Sequence, residues 1–246
     1  MLSEKRLIEQ GAFFFRYRGQ LPVLLILLAV ILMLYYPTAV KWADELQLII
    51  YILAAIFISN GHIIRATTVG NRFKHSSGKN RSHHYAENLN VLGWYSVTRN
   101  PLYFANFLIW IGLSLVTLHS GVLVLTCIFF WLIYRPIILS EESYLTEKFK
   151  SKYSEWAKST PVFFPSWKNF QKNPMPLSFK TILKNEYPGI CATLSCLFIL
   201  ILTKEIRGSN GYFYCTWHLV FLIFIFFFAG TMKFLKHKTH YFKSED

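Results

Sequence analysis

Six apolar runs alternate with polar and basic stretches along the 246 residues. They cover 21–36, 46–64, 101–118, 122–139, 187–203 and 212–234, each near the length a helix needs to cross a bilayer. The third and fourth are separated only by His119-Ser120-Gly121, which predicts a tight antiparallel hairpin. After the fourth, Ser140-Glu141-Glu142 reads as a fresh helix start, with Ser as cap and two acids in the first turn. Leu145, Phe149, Tyr153 and Trp156 then recur at helical spacing, with Lys148, Lys150, Lys152 and Lys158 largely off that stripe. This pattern predicts an amphipathic helix lying on the membrane face. The expected fold is therefore all-α, a polytopic transmembrane bundle of about six spans with an interfacial amphipathic helix after the fourth.

The organisation that follows has an interfacial segment over 1–20, two spans over 21–64, and a central unit over 65–165. A basic linker over 166–186 leads to two last spans and a tail over 187–246. The leader holds Glu4 and Glu9 and precedes a run long enough to span, so it reads as an anchor rather than a cleaved signal. Hydrophobic residues make up 53% and charged residues only 16%, well under the quarter or so of soluble domains. The net charge of +13 would suggest nucleic acid in a soluble protein, but here it is read as loop charge meeting anionic lipid, with no nucleic-acid partner. With both ends inside, only Lys41, Lys204 and Arg207 of the 26 basic residues fall on the outer side. That asymmetry predicts cytoplasmic termini. No eukaryotic sorting signal is evident, which favours a bacterial inner membrane. Cys127, Cys191, Cys196 and Cys215 lie in or beside apolar runs without a Cys-x-x-Cys pattern and read as buried thiols. His75, His83 and His84 match no metal-ligand spacing, and no metal is expected. His62 reads as a packing histidine at the inner end of a span.

The chemistry concentrates at the inner ends of the central hairpin. Asn100-Pro101 marks a helix start, with Asn as cap and Pro in the first turn. Arg99 adds a full positive charge beside the unpaired N–H groups of that start, an arrangement suited to an anion. Two spans of similar length return the chain to the same face, so Arg99, Tyr103, Arg135, Glu141 and Glu142 are expected to be neighbours. Between positions 46 and 140 the only acid is Glu87, which makes Glu141-Glu142 one of few places for a cationic amine. A ligand with both a carboxylate and an ammonium suits the pair.

The stretch Gly93-Trp94-Tyr95-Ser96-Val97-Thr98-Arg99-Asn100-Pro101-Leu102-Tyr103 resembles the Gly-x-Tyr-x-x-x-Arg-His-Pro-x-Tyr motif of the isoprenylcysteine carboxyl and phospholipid methyltransferases. Glu141-Glu142-x-x-Leu145, Phe149, Tyr153 and Thr160-Pro161-Val162-Phe163-Phe164-Pro165 resemble that family's second motif. The resemblance, over roughly 60–165, implies a membrane enzyme using S-adenosylmethionine to methylate a lipid or lipid-linked acceptor. It assigns cofactor binding to Tyr95, Arg99, Asn100, Tyr103, Glu141 and Glu142. Arg99 is also the expected catalytic residue, and Arg81 and Arg135 are expected to bind substrate. The basic 65–98 loop favours an anionic acceptor, a lipid A phosphate being one such headgroup. Asn100 replaces the family's usual His and cannot titrate near neutral pH. Ala105 replaces a usual Gly, which is expected to narrow the ligand's approach. Two other readings remain: an NADPH-dependent sterol or enone reductase, whose related segment runs on to Gly-Glu where this chain has Ala105-Asn106, and a non-enzymatic lipid-binding protein. Oligomeric state is not readable.

Overall fold

The computed structural model describes residues 2–36, 43–71, 87–208 and 215–238. Among them no strand occurs, and seven α-helices follow in order: α1 (Leu2–Tyr17), α2 (Leu21–Tyr35), α3 (Asp44–Gly70), α4 (Pro101–Val116), α5 (Ser120–Ser159), α6 (Phe179–Gly208) and α7 (Cys215–Lys238). The chain is an all-helical membrane protein. Four helices are long and apolar enough to cross a bilayer, and α1 with α2 adds a fifth if that pair, bent by 83°, counts as one broken span. The 16 residues of α4 are apolar but shorter, rising about 24 Å. Each of the six apolar runs thus falls largely on a helix over its described residues.

The bundle is assembled around α3 and α4. A Cβ on Gly61 would stand 2.5 Å from Ile109 Cγ1 and 2.7 Å from the Ala105 carbonyl, and one on Gly112 would stand 2.6 Å from Ile58 Cγ1 and 2.8 Å from the Ala54 carbonyl. Small residues let the two backbones approach closely where lipid offers no hydrophobic drive to bring helices together. Ala105 is fully buried in this contact. It does not line the cavity described below, so the Ala-for-Gly replacement acts on helix packing and not on the approach of a ligand. On the other face of α4, Trp110 packs edge-on to Phe130, which stacks on Tyr134 with centroids 4.2 Å apart.

The turn between α4 and α5 is as tight as expected. His119 caps α5 by accepting from the Val122 N–H, and its other ring nitrogen lies 2.7 Å from the Tyr36 carbonyl. Beyond the turn the structure departs from the sequence reading. No new helix begins at Ser140, because α5 runs unbroken through it and breaks only at Lys150, where φ is 47° and ψ −121°. Ser140, Glu141 and Glu142 lie between Pro136 and the Lys150 break with all their backbone groups inside the helix, so no N-terminus is there to cap. The stripe of Leu145, Tyr153 and Trp156 faces inward and lines the cavity, while Lys148, Lys150, Lys152 and Lys158 are exposed. The expected membrane-facing surface of this segment is therefore an internal wall. The chain after Pro165 also departs from a simple linker, since α6 starts at Phe179, ahead of the apolar run at 187.

Replacing Gly61 or Gly112 by Val should lower stability by about 1–3 kcal/mol, because the clash is partly with backbone. Gly230→Ala, with nothing within 4 Å of the added methyl, should change little. Thermal unfolding in detergent compares the three.

Candidate functional site

The segment before α4 carries the first motif and is held in place by the segment after α5. The Arg99 N–H donates to the Pro161 carbonyl at 2.8 Å and the Ser166 N–H to the Val97 carbonyl at 2.9 Å. The Thr98 hydroxyl donates to the Phe163 carbonyl at 2.8 Å, and the Gly93 N–H to the Gln171 carbonyl at 2.8 Å. Asn100 occupies the N-cap position of α4, as the sequence suggested, but its side chain does not cap. Its Nδ2 donates instead to the Val162 carbonyl at 2.9 Å, tying the two motifs together. Val97 and Thr98 are fully buried in this lacing. Trp156, beyond the α5 break, donates its indole N–H to the Tyr95 carbonyl at 3.1 Å.

This lacing roofs a cavity of about 590 Å³, within the ~300–1,000 Å³ range typical of small-molecule sites. Tyr95, Arg99, Asn100, Tyr103, Glu141 and Glu142 all line it. Arg99 Nη1 lies 3.3 Å from Glu142 Oε1, and the Tyr103 hydroxyl donates to Glu141 Oε2 at 2.7 Å. The hairpin therefore brings its two ends to one place. Arg135 does not join them. It is exposed on α5 and absent from the cavity wall, one residue and about 100° round the helix from Tyr134, so it is no part of this site. Arg81, His75, His83 and His84 fall outside the described residues.

Further groups belong to the site that the sequence does not assign to it, His62 among them, which reads there as a packing residue. Arg65 on α3 grips Glu186 on α6 with two bonds, Nε to Oε2 at 2.6 Å and Nη2 to Oε1 at 3.0 Å. Its Nη1 donates to Asn106 Oδ1 at 2.6 Å, and Asn106 Nδ2 donates to the Tyr134 hydroxyl at 3.1 Å. His62 Nε2 lies 3.1 Å from the Thr193 hydroxyl. Arg18, in the corner between α1 and α2, stacks on Phe15 with Cζ 3.8 Å from the ring centroid and lines the same cavity. Glu186 had been placed at the end of a linker; polarity alone conceals that it is a buried helical residue. Deeper in, the walls turn apolar, with Ala29, Leu113, Val122, Cys196 and Leu200.

Several polar atoms here are buried without a hydrogen-bond partner: Arg18 Nη1, His62 Nδ1 and Arg99 Nε. Buried polar groups are almost always satisfied, so a cluster of orphans on one cavity wall marks a place for a polar ligand. Donors and acceptors stand side by side, which fits a ligand carrying both charge signs. Among the described residues, no group of three or more His, Cys, Asp or Glu side chains could hold a metal ion.

A polytopic helical bundle with a charged cavity beneath laced loops defines a membrane-embedded binding or catalytic protein. Residues 48–152 match the phospholipid methyltransferase family. The chain is 37% identical over 73 residues to the cobalt-zinc-cadmium resistance protein CzcN of Cupriavidus metallidurans, a stretch that is 30% of this chain and 33% of that protein. It is 36% identical over 73 residues to the nickel-cobalt-cadmium resistance protein NccN of Alcaligenes xylosoxydans xylosoxydans, 30% of this chain and 34% of that one. The chain thus spans about a third of the length of these curated relatives. No solved structure matches it.

Arg65→Ala leaves Glu186, only 3% exposed, as an unpaired buried acid. It should cost about 3–5 kcal/mol, whereas Arg65→Met combined with Glu186→Leu should cost much less. Thermal unfolding of the two proteins in detergent measures the difference.

Proposed function

We propose that this protein is an S-adenosylmethionine-dependent methyltransferase acting on a lipid or lipid-linked acceptor with an anionic headgroup. The observation that carries the reading is the meeting of Arg99–Glu142 and Tyr103–Glu141 in one cavity, with Arg99 Nε buried and left for a ligand. Arg99 would take the donor's carboxylate and Glu142 its ammonium, with Tyr95, Asn100, Tyr103 and Glu141 forming the surrounding wall. When bound, the cofactor supplies an electrophilic methyl group, which passes to an acceptor oxygen while the sulfur keeps the electron pair of the broken bond. The chain's own residues align the two molecules and exclude water, which is sufficient for a nucleophile that is already an anion. No general base is then required, in keeping with Asn at position 100. The Ala105-Asn106 pair supports this reading over the reductase, because Asn106 is committed to Arg65 and Tyr134.

The basic inner loops support a site open to the cytoplasm of a bacterial inner membrane. A lipid A phosphate is one acceptor of the proposed class. The relatives' names attach them to metal resistance. Methylating an anionic headgroup removes an oxygen charge that attracts divalent cations, a chemistry compatible with that setting.

Calorimetry on the purified protein in detergent, with S-adenosylmethionine and with NADPH, tests the proposal. Arg99→Ala and Glu142→Gln should each weaken S-adenosylmethionine binding by about tenfold or more, as expected for losing a charged hydrogen-bond partner. Arg135→Ala should not. Binding of NADPH with no binding of S-adenosylmethionine overturns the assignment.

A further inference from the structure

The cavity wall holds three arginines, Arg18, Arg65 and Arg99, and three glutamates, Glu141, Glu142 and Glu186. Arg65 is matched to Glu186 and Arg99 to Glu142. Glu141 takes its hydrogen bond from Tyr103. Arg18 is the remaining cation. Among the described residues no carboxylate lies within ion-pair distance of it, and its Nη1 is buried without a partner. It lines the same cavity as Tyr103, Tyr134 and Glu141. Ile26, Ala29, Leu113, Val122 and Leu200 give that cavity its apolar lining.

The position is built and not incidental. Arg18 occupies the corner where α1 and α2 bend by 83°. A Cβ on Gly11 of α1 would collide with the Pro136 carbonyl and stand 2.6 Å from Ser140 Cβ, so α1 is pressed on α5 backbone to backbone. Phe15, 6% exposed, then props the guanidinium from one side.

Charge balance indicates what the arginine takes. Three arginines and three glutamates give the wall a formal charge of zero. The donor proposed above carries a carboxylate, an ammonium and a sulfonium, hence one net positive charge. Inside a membrane protein that excess is costly unless matched. A singly anionic acceptor restores neutrality, and an ammonium acceptor doubles the excess.

We propose that Arg18 is the residue that selects the acceptor, binding the anionic oxygen headgroup of a lipid whose tail occupies the apolar depth of the cavity. The balance argument rests on the S-adenosylmethionine reading; the unpartnered Arg18 Nη1 and the amphipathic cavity do not. Arg18 lies outside residues 48–152, so the family match does not supply it.

The test uses the full-length protein in detergent with hexadecyl phosphate as probe. Titration should show binding to the wild type, weakened about tenfold or more in Arg18→Gln and less in Arg18→Lys. Hexadecyltrimethylammonium should bind poorly, and S-adenosylmethionine should bind both variants as it binds the wild type, which also reports that they fold. Unchanged hexadecyl phosphate affinity in Arg18→Gln, no binding to the wild type, or preference for the ammonium probe overturns the proposal. Equal affinity for inorganic phosphate overturns its lipid half. Arg18-dependent phosphate binding in a protein that fails to bind S-adenosylmethionine upholds the anion site and removes the cofactor reading instead.

Discussion

A carboxylate among apolar helices is tolerated only with a partner, and each of the three glutamates around the cavity takes its partner from a different helix or from the loop ahead of one. Glu186 on α6 meets Arg65 on α3, Glu141 on α5 meets Tyr103 on α4, and Glu142 on α5 meets Arg99 just before α4. Sliding a helix by one residue moves its side chains about 1.5 Å along the axis, enough to break a bond of this kind. The polar contacts therefore fix the register of helices whose outer faces are interchangeable apolar surface. α7 shows the contrast. It packs on α6, its phenylalanines such as Phe226 and Phe227 are more than 70% exposed, and the cavity takes no residue from it.

Close packing and polar bonding hold different parts of the molecule. Gly61 and Gly112 bring α3 and α4 together along an apolar contact, which needs only small size. The roof is held by hydrogen bonds between 93–100 and 161–171, two irregular segments whose N–H and C=O groups would otherwise go unpaired near the membrane. Because the roof carries Arg99 and Asn100, their positions depend on Pro161, Val162 and Phe163 as much as on their own helix. A motif that reads as a helix cap in sequence is in effect half of a clasp.

The helices and the α4–α5 hairpin were legible because apolar length and tight turns are local properties, whereas the packing of α3 on α4 and of α1 on α5 was not. The meeting of Arg99 with Glu142 was also legible, since a hairpin of two similar spans returns its ends to one face. What depended on distant partners was not. Arg65 and Glu186 are 121 positions apart, and nothing near either residue signals the other. Ser140-Glu141-Glu142 has the composition of a helix start, yet the preceding turn never ends, so the cap rule had no terminus to act on. The Leu145, Tyr153 and Trp156 stripe was correctly seen as one face, but periodicity does not say what that face meets. Arg135 failed for a related reason: it lies at the right depth on the wrong side of its helix.

The cavity is composite in a way that bears on specificity. Arg99, Tyr103, Glu141 and Glu142 all come from the stretch that matches the family, whereas Arg18, Glu186 and the apolar wall from α2 and α6 come from outside it. On the reading proposed above, one part holds a donor common to many such enzymes and the other faces the acceptor. Their boundary runs through Arg65, which lies in the matched stretch and yet reaches Glu186 outside it. Changes in α1, α2 or α6 can therefore reshape the acceptor side while the donor contacts stay in place, provided the Arg65–Glu186 bond survives. On that reading the matched stretch holds the donor contacts and reaches the acceptor side only through apolar residues such as Leu113 and Val122, so it bears on the cofactor more than on the substrate.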